Sequence, residues 1–147
     1  MDGVELMTRW FREVWTEERG DVIDELLSDD CVAHGLGPEP MVGPAAFKEW
    51  HQSLLAQFRV QIKVLQGIAQ GDRVAVQSEA TLTHRASGKS GTFTGCCLVT
   101  VRDDGKMTES TNEWNFVDLL EQLGVIPEAG LKTVLAGGKS TLPVWRA

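Results

Sequence analysis

The chain of 147 residues carries a net charge of −7, with 42% hydrophobic and 24% charged residues, a composition typical of one soluble globular domain spanning 1–147. It has no basic stripe for nucleic acid and no apolar run of the roughly 18 residues that a membrane span needs. The first segment, MDGVELMTRWFREVW, lacks an apolar signal sequence, and the three cysteines form no disulfide framework. We therefore expect a cytoplasmic protein with reduced thiols.

Helical spacing of apolar residues marks the first part of the chain. It predicts an amphipathic helix over 3–18 and a second, short helix over 21–28. A short extended piece, CVAHG, follows, and the loop LGPEPMVGP is irregular because it holds three prolines and two glycines. Its last residue, Pro44, suits the first turn of a third helix, PAAFKEWHQSLLAQF.

From Phe58 the apolar period changes to two, which predicts four strands joined by turns at QGDR, RASGKS and DDGK. A short helix, DLLEQLG, follows and ends at Gly124. One face of the second strand of this meander carries Val74, Val76, Ser78, Ala80, Leu82 and His84. The order of elements predicts an α+β fold, in which a curved antiparallel sheet carries the N-terminal helices on its concave face. Such a cone, open at one end, favours a pocket.

Three segments carry a family resemblance. VGPAAFKEWHQSLLAQF is similar to a G-P-x-x-F helix, IAQGDRVAVQSEATLTH to a G-D-x-V-x-V strand, and DDGKMTESTNEWNFVDLLEQLGVIP to a D-G-K-I-x-E-x-W-[ND] ending. Together they resemble the SnoaL-like polyketide cyclases of the nuclear transport factor 2-like superfamily. The resemblance covers about 4–127, with 128–147 as a C-terminal extension. It implies a cone-shaped α+β domain and a homodimer packed through the outer face of the sheet.

The resemblance also implies a chemistry, and this sequence departs from it. The characterised cyclases of the family close a ring by intramolecular aldol condensation, using a carboxylate on the last strand and a histidine on the preceding strand. The carboxylate position falls on Asn112 and the histidine position on Cys97. An amide accepts no proton near neutral pH, so the acid–base contribution of roughly 10²–10⁴-fold is absent from its usual place.

Our first hypothesis is a cyclase- or isomerase-type enzyme that acts on an apolar, carbonyl-bearing, polyketide-like ligand. Asn112 would orient or polarise the carbonyl, and His34, just after the first short strand, would carry the proton. The predicted ligand-binding residues are Trp15, Trp50, Ser78, His84, Cys97 and Trp114. We predict neither metal nor cofactor, and no partner of nucleic acid or membrane type.

The alternative is a non-catalytic module of the same fold that binds a small ligand or assembles as a dimer, which the missing carboxylate favours. Each site residue also has a structural interpretation: core packing for Cys97 and the tryptophans, and a hydrogen bond in a loop for His34. Other chemistries of the superfamily fit poorly. Ketosteroid isomerase and scytalone dehydratase depend on tyrosine hydroxyls, which this chain lacks. The positions of the limonene epoxide hydrolase Arg and two Asp hold Ser78, Ala80 and Asn112.

Overall fold

The structure, a computed structural model, describes residues 2–127 and 130–137. Part of the predicted extension, 128–129 and 138–147, lies outside these residues. The elements in chain order are α1 (Gly3–Trp10), a π-helix (Phe11–Thr16), α2 (Asp21–Leu26), β1 (Leu27–His34), β2 (Met41–Val42), α3 (Pro44–Gln57), β3 (Phe58–Gln70), β4 (Arg73–His84), β5 (Ser90–Val101), β6 (Met107–Trp114), α4 (Phe116–Gln122) and α5 (Gly130–Leu135). In the described part of the chain, no helix is long and apolar enough to cross a membrane.

The described strands form one sheet in the order β2-β1-β6-β5-β4-β3, with β2 and β3 at its edges. The meander from β3 to β6 is antiparallel, as the alternating pattern predicts. Strand β1 departs from this arrangement, because it pairs in parallel with β6 and makes the sheet mixed. Strand β1 follows α2 and forms an antiparallel pair with the short β2, but no turn joins it to β6, so no local turn fixes its direction relative to β6. The predicted α+β class and the helices on the concave face are confirmed.

The two faces of the meander have opposite character. Along β4 and β5, every second residue is buried and its neighbours are exposed or half-buried. The buried set on β4 runs from Val74 to Leu82, with His84 half-buried at the end of the strand, which confirms the face predicted from the sequence. The inner face therefore supplies the core, and the outer face carries mainly threonine and charged residues.

The helical layer is held in place at both ends of its first helix. Asp2 caps α1, since its side chain accepts a hydrogen bond from the Glu5 N–H at 2.8 Å and its own N–H donates to the Glu5 carboxylate at 3.0 Å. Helix α1 continues as the π-helix, whose Val14 carbonyl accepts a hydrogen bond from His51 Nε2 of α3 at 2.7 Å. Burial lowers the pKa of His51, so the imidazole that joins the two helices stays neutral.

The chain leaves β1 at Gly35, where it passes directly over β6. Gly35 has a φ of +85°, and a Cβ at this position would stand 1.9 Å from the backbone carbonyl oxygen of Asn112. A side chain would meet both left-handed strain and a backbone atom that cannot move aside. The close approach of β1 to β6 therefore depends on glycine.

We expect Gly35→Ala to lower the free energy of unfolding by more than about 2 kcal/mol, because strain and steric overlap add. Gly37→Ala is the matched control, since a Cβ at Gly37 has open space around it, and its effect should stay within about 0.5 kcal/mol. Urea denaturation of both variants measures the difference. Equal effects of the two substitutions would contradict the close approach at Gly35.

Candidate functional site

A cavity of about 350 Å³ lies between the concave face of the sheet and the helices. Strands β1 and β3 to β6 form one side of it, and α1, the π-helix, α3 and α4 form the other. Its wall is almost entirely aliphatic and aromatic. The volume lies at the lower end of the range of about 300–1,000 Å³ that is usual for small-molecule sites.

Tryptophans form much of the aromatic wall. Trp15, Trp50 and Trp114, all predicted from the sequence, line the cavity together with Trp10. Trp114 lies against the backbone of Gly95, where a Cβ would stand 2.3 Å from the indole ring. None of these four indole N–H groups donates a hydrogen bond to another described residue, so each is free to donate to a ligand or to solvent.

The polar part of the wall lies on β6, where Ser110 and Asn112 share the inner face with Trp114. Asn112 is only 8% exposed. Its Nδ2 donates to the His34 carbonyl oxygen at 2.9 Å and to Ser110 Oγ at 3.1 Å. A backbone carbonyl only accepts hydrogen bonds, so the group that faces it is the NH₂, which fixes the orientation of the amide. Asn112 therefore offers its Oδ1 atom, which accepts no hydrogen bond from the described residues, to the cavity.

His34 contributes its backbone, not its ring, to this arrangement. Its side chain is 42% exposed and does not line the cavity. Its Nε2 atom lies 3.7 Å from Oε1 of Glu109, a residue that does line the cavity and whose side chain is 62% exposed. Glu109 directly precedes the inward-facing Ser110 on β6, so this exposed pair lies at the rim of the cavity and not in its interior.

Glu109 is a cavity-lining residue that the sequence reasoning missed. A signal for it was present, because it occupies the glutamate position of the D-G-K-I-x-E pattern in the segment DDGKMTESTNEW. The family resemblance implies a carboxylate instead at the position of Asn112, three residues further along β6.

Three predicted ligand-binding residues, Ser78, Cys97 and His84, lie on the inner face of the sheet but do not line the cavity. Burial raises the pKa of the Cys97 thiol to about 12, so it stays protonated at neutral pH. His84 closes β4, where its Nδ1 lies 2.8 Å from Ser87 Oγ. Among the described residues, Ser78 Oγ is the only buried side-chain oxygen or nitrogen atom without a hydrogen-bond partner.

Titratable groups are few around the cavity. Among the described lining residues they are Glu109 at the rim and Cys31, whose pKa is raised by burial. No group of three or more His, Cys, Asp or Glu in the described part of the chain is arranged to hold a metal ion. The interior of the cavity is thus suited to binding an apolar molecule, and the one carboxylate among its described lining residues lies at the rim.

Residues 7–110 match the SnoaL-like domain family. This match spans most of the chain, so the protein belongs to that family, and the resemblance carried by its three segments is confirmed. No curated protein matches the chain.

Solved structures share the fold at low sequence identity. A protein from Jannaschia sp. CCS1 described as a SnoaL-like polyketide cyclase is 21% identical with a TM-score of 0.73, covering 84% of this chain and 92% of its own. IdmH from Streptomyces antibioticus, described as a polyketide cyclase, is 22% identical with a TM-score of 0.72, covering 82% and 97%. An LEH-like epoxide hydrolase of M. tuberculosis is 18% identical with a TM-score of 0.70, covering 92% and 96%.

Replacing Asn112 by aspartate, the residue type that the family resemblance implies at this position, tests the fixed orientation of the amide. We expect Asn112→Asp to lower the free energy of unfolding at pH 7 by about 1–3 kcal/mol, because a carboxylate cannot donate to the His34 carbonyl. The loss should shrink as the pH falls, since a protonated carboxyl group can donate again and is favoured in the folded state. Denaturation at pH 7 and pH 4 measures both effects.

Asn115→Asp is the matched control. Asn115 Oδ1 caps α4 by accepting a hydrogen bond from the Asp118 N–H at 3.1 Å, and a carboxylate fills that role as well. Its effect should stay within about 0.5 kcal/mol. A pH-independent loss at Asn112, or a loss of equal size at Asn115, would show that the donor to the His34 carbonyl is not what matters.

Proposed function

We propose that this protein binds an apolar, oxygen-bearing small molecule in its cavity and acts on it as an enzyme of the cyclase or isomerase type. The observation that carries the proposal is an apolar cavity in which two oxygen-bearing side chains of the interior, Ser110 and Asn112, lie together on one strand. Apolar walls hold a ligand by burial, at about 25 cal/mol per Å², and a few polar groups orient it.

Orientation is the main catalytic effect that this interior offers. A flexible chain held in a folded conformation places its reacting carbon atoms close together, which replaces a large entropic part of the barrier. Membership of a family whose solved relatives include proteins described as polyketide cyclases supports such a ligand.

Proton transfer is assigned to the rim. Glu109 is among the residues that line the cavity, and its carboxylate lies beside His34, so we assign proton exchange to this carboxylate with the imidazole as its partner. In this proposal His34 acts on the proton through Glu109, and Asn112 orients the ligand.

The second candidate is a module that binds the same ligand without turnover. It is favoured by the absence of a titratable side chain on β6 at the position of Asn112, where the family places its carboxylate. The homodimer, the cytoplasmic location and the absence of nucleic-acid partners remain predictions from the sequence and the resemblance.

Binding in the cavity is tested by filling it. Titration with a panel of planar ketones, β-keto esters and lactones should quench tryptophan fluorescence saturably, because tryptophans line the cavity. Ala80 lines the cavity on β4, so Ala80→Leu should weaken binding at least about tenfold by occupying ligand space. Ala75→Leu, on the exposed face of the same strand, should leave the affinity unchanged. Equal affinities of the two variants would place the ligand elsewhere.

Turnover is tested on the ligands that bind. Each is incubated with the protein, and mass spectrometry and chromatography follow the appearance of a cyclised or isomerised product. Glu109→Gln should lower the rate at least about tenfold with little effect on affinity, since it removes the proton acceptor. Glu113→Gln, an exposed change on the same strand, should not alter the rate. Binding without any product across the panel would favour the non-catalytic module.

A further inference from the structure

Ser110 and Asn112 differ in what they can still do as hydrogen-bonding groups. Both N–H bonds of the Asn112 amide are used, one by the His34 carbonyl and one by Ser110 Oγ. The Asn112 Oδ1 atom has no donor among the described residues, so it is a free acceptor. An amide held in this way cannot turn to donate to a ligand without losing its bond to the backbone.

The Ser110 hydroxyl is the complementary free group. Its oxygen accepts from Asn112 Nδ2 at 3.1 Å, and its single proton has no acceptor in the described part of the chain. A hydroxyl that accepts through its oxygen remains free to donate through its hydrogen. Ser110 is therefore a donor, and it lies beside the acceptor of Asn112 on the same face of β6.

We propose that Ser110 and Asn112 act together as a donor–acceptor pair that selects ligands carrying a hydroxyl group near a carbonyl group, such as an enol, a β-hydroxy ketone or a hydroxylated aromatic ketone. The ligand hydroxyl donates to Asn112 Oδ1, and the ligand carbonyl accepts from the Ser110 hydroxyl. The proposal rests on the proposed function, since it names the substrate class of the same cavity.

The same geometry rejects other ligands. A ligand without a hydroxyl leaves Asn112 Oδ1 desolvated and unpaired, which costs affinity. A carboxylate ligand faces the Asn112 Oδ1 acceptor, and neutral donors such as the Ser110 hydroxyl offset only part of the cost of burying its charge. The family resemblance implies a carboxylate that exchanges protons at this position. This chain has an amide there, and its oxygen accepts a hydrogen bond from a ligand hydroxyl.

Four naphthalene probes of similar shape separate the contributions of the hydroxyl, the carbonyl and the apolar ring to affinity. They are 2-naphthol, 2-methoxynaphthalene, 2-acetonaphthone and naphthalene itself. Isothermal titration calorimetry gives their affinities for the wild type and for Ser110→Val. The wild type should bind 2-naphthol roughly 5- to 100-fold more tightly than 2-methoxynaphthalene, because only the naphthol donates to Asn112 Oδ1. Ser110→Val should weaken 2-acetonaphthone by at least about fivefold and leave naphthalene unchanged, because it removes the donor and keeps the apolar wall.

The outcomes separate this proposal from the function on which it rests. Binding of all four probes with no preference for the naphthol would overturn the donor–acceptor pair and leave the apolar binding site standing. Failure of every probe to bind would overturn both. If Ser110→Val does not fold, the comparison of naphthol with its methyl ether in the wild type decides the question.

Discussion

The hydrogen bond from the Asn112 amide to the His34 carbonyl joins two strands that are 78 residues apart in the chain, and the site depends on it. Strand β1 reaches the sheet from the helical layer and runs parallel to β6. Gly35 lets the backbone pass over Asn112, and the amide then fastens the end of β1 from the inner side. One side chain therefore serves the fold through its NH₂ group and the cavity through its oxygen, which explains why an amide suits this position better than a carboxylate.

The cavity itself is maintained by aromatic packing on the helical side. Trp15 contacts Phe47, Trp50 and His51 in edge-to-face geometry, with ring centroids 6.1, 5.4 and 4.8 Å apart. These rings are rigid and support one another, and the buried His51 ties α3 to the π-helix that carries Trp15. A wall built in this way resists collapse onto the sheet, so space remains inside the cone.

The proposed separation of ligand binding from proton exchange differs from the cyclase design that the family resemblance implies. In that design a carboxylate inside the cavity both binds and exchanges a proton. In the proposed function the interior of the cavity binds and orients the ligand, and the ionisable pair of His34 and Glu109 lies at the rim. The physical reason is desolvation: a carboxylate deep in so apolar a cavity would have its ionised form strongly disfavoured, whereas at the rim it remains solvated.

The sequence by itself determined the α+β class, the order of the helices, the antiparallel meander and the inner face of β4, because helical and alternating periods are local properties. It also identified Trp15, Trp50, Trp114 and Asn112 as inward residues, all of which line the cavity. Only the tertiary structure decided that β1 pairs in parallel with β6, since no local turn specifies this partner. It also decided which inner-face residues line the cavity. Alternation assigns a side chain to a face but not to a cavity, so Ser78 and Cys97 share the inner face and lie outside the wall. The role proposed for Ser110 rests on its hydrogen bond to Asn112, which no sequence pattern encodes.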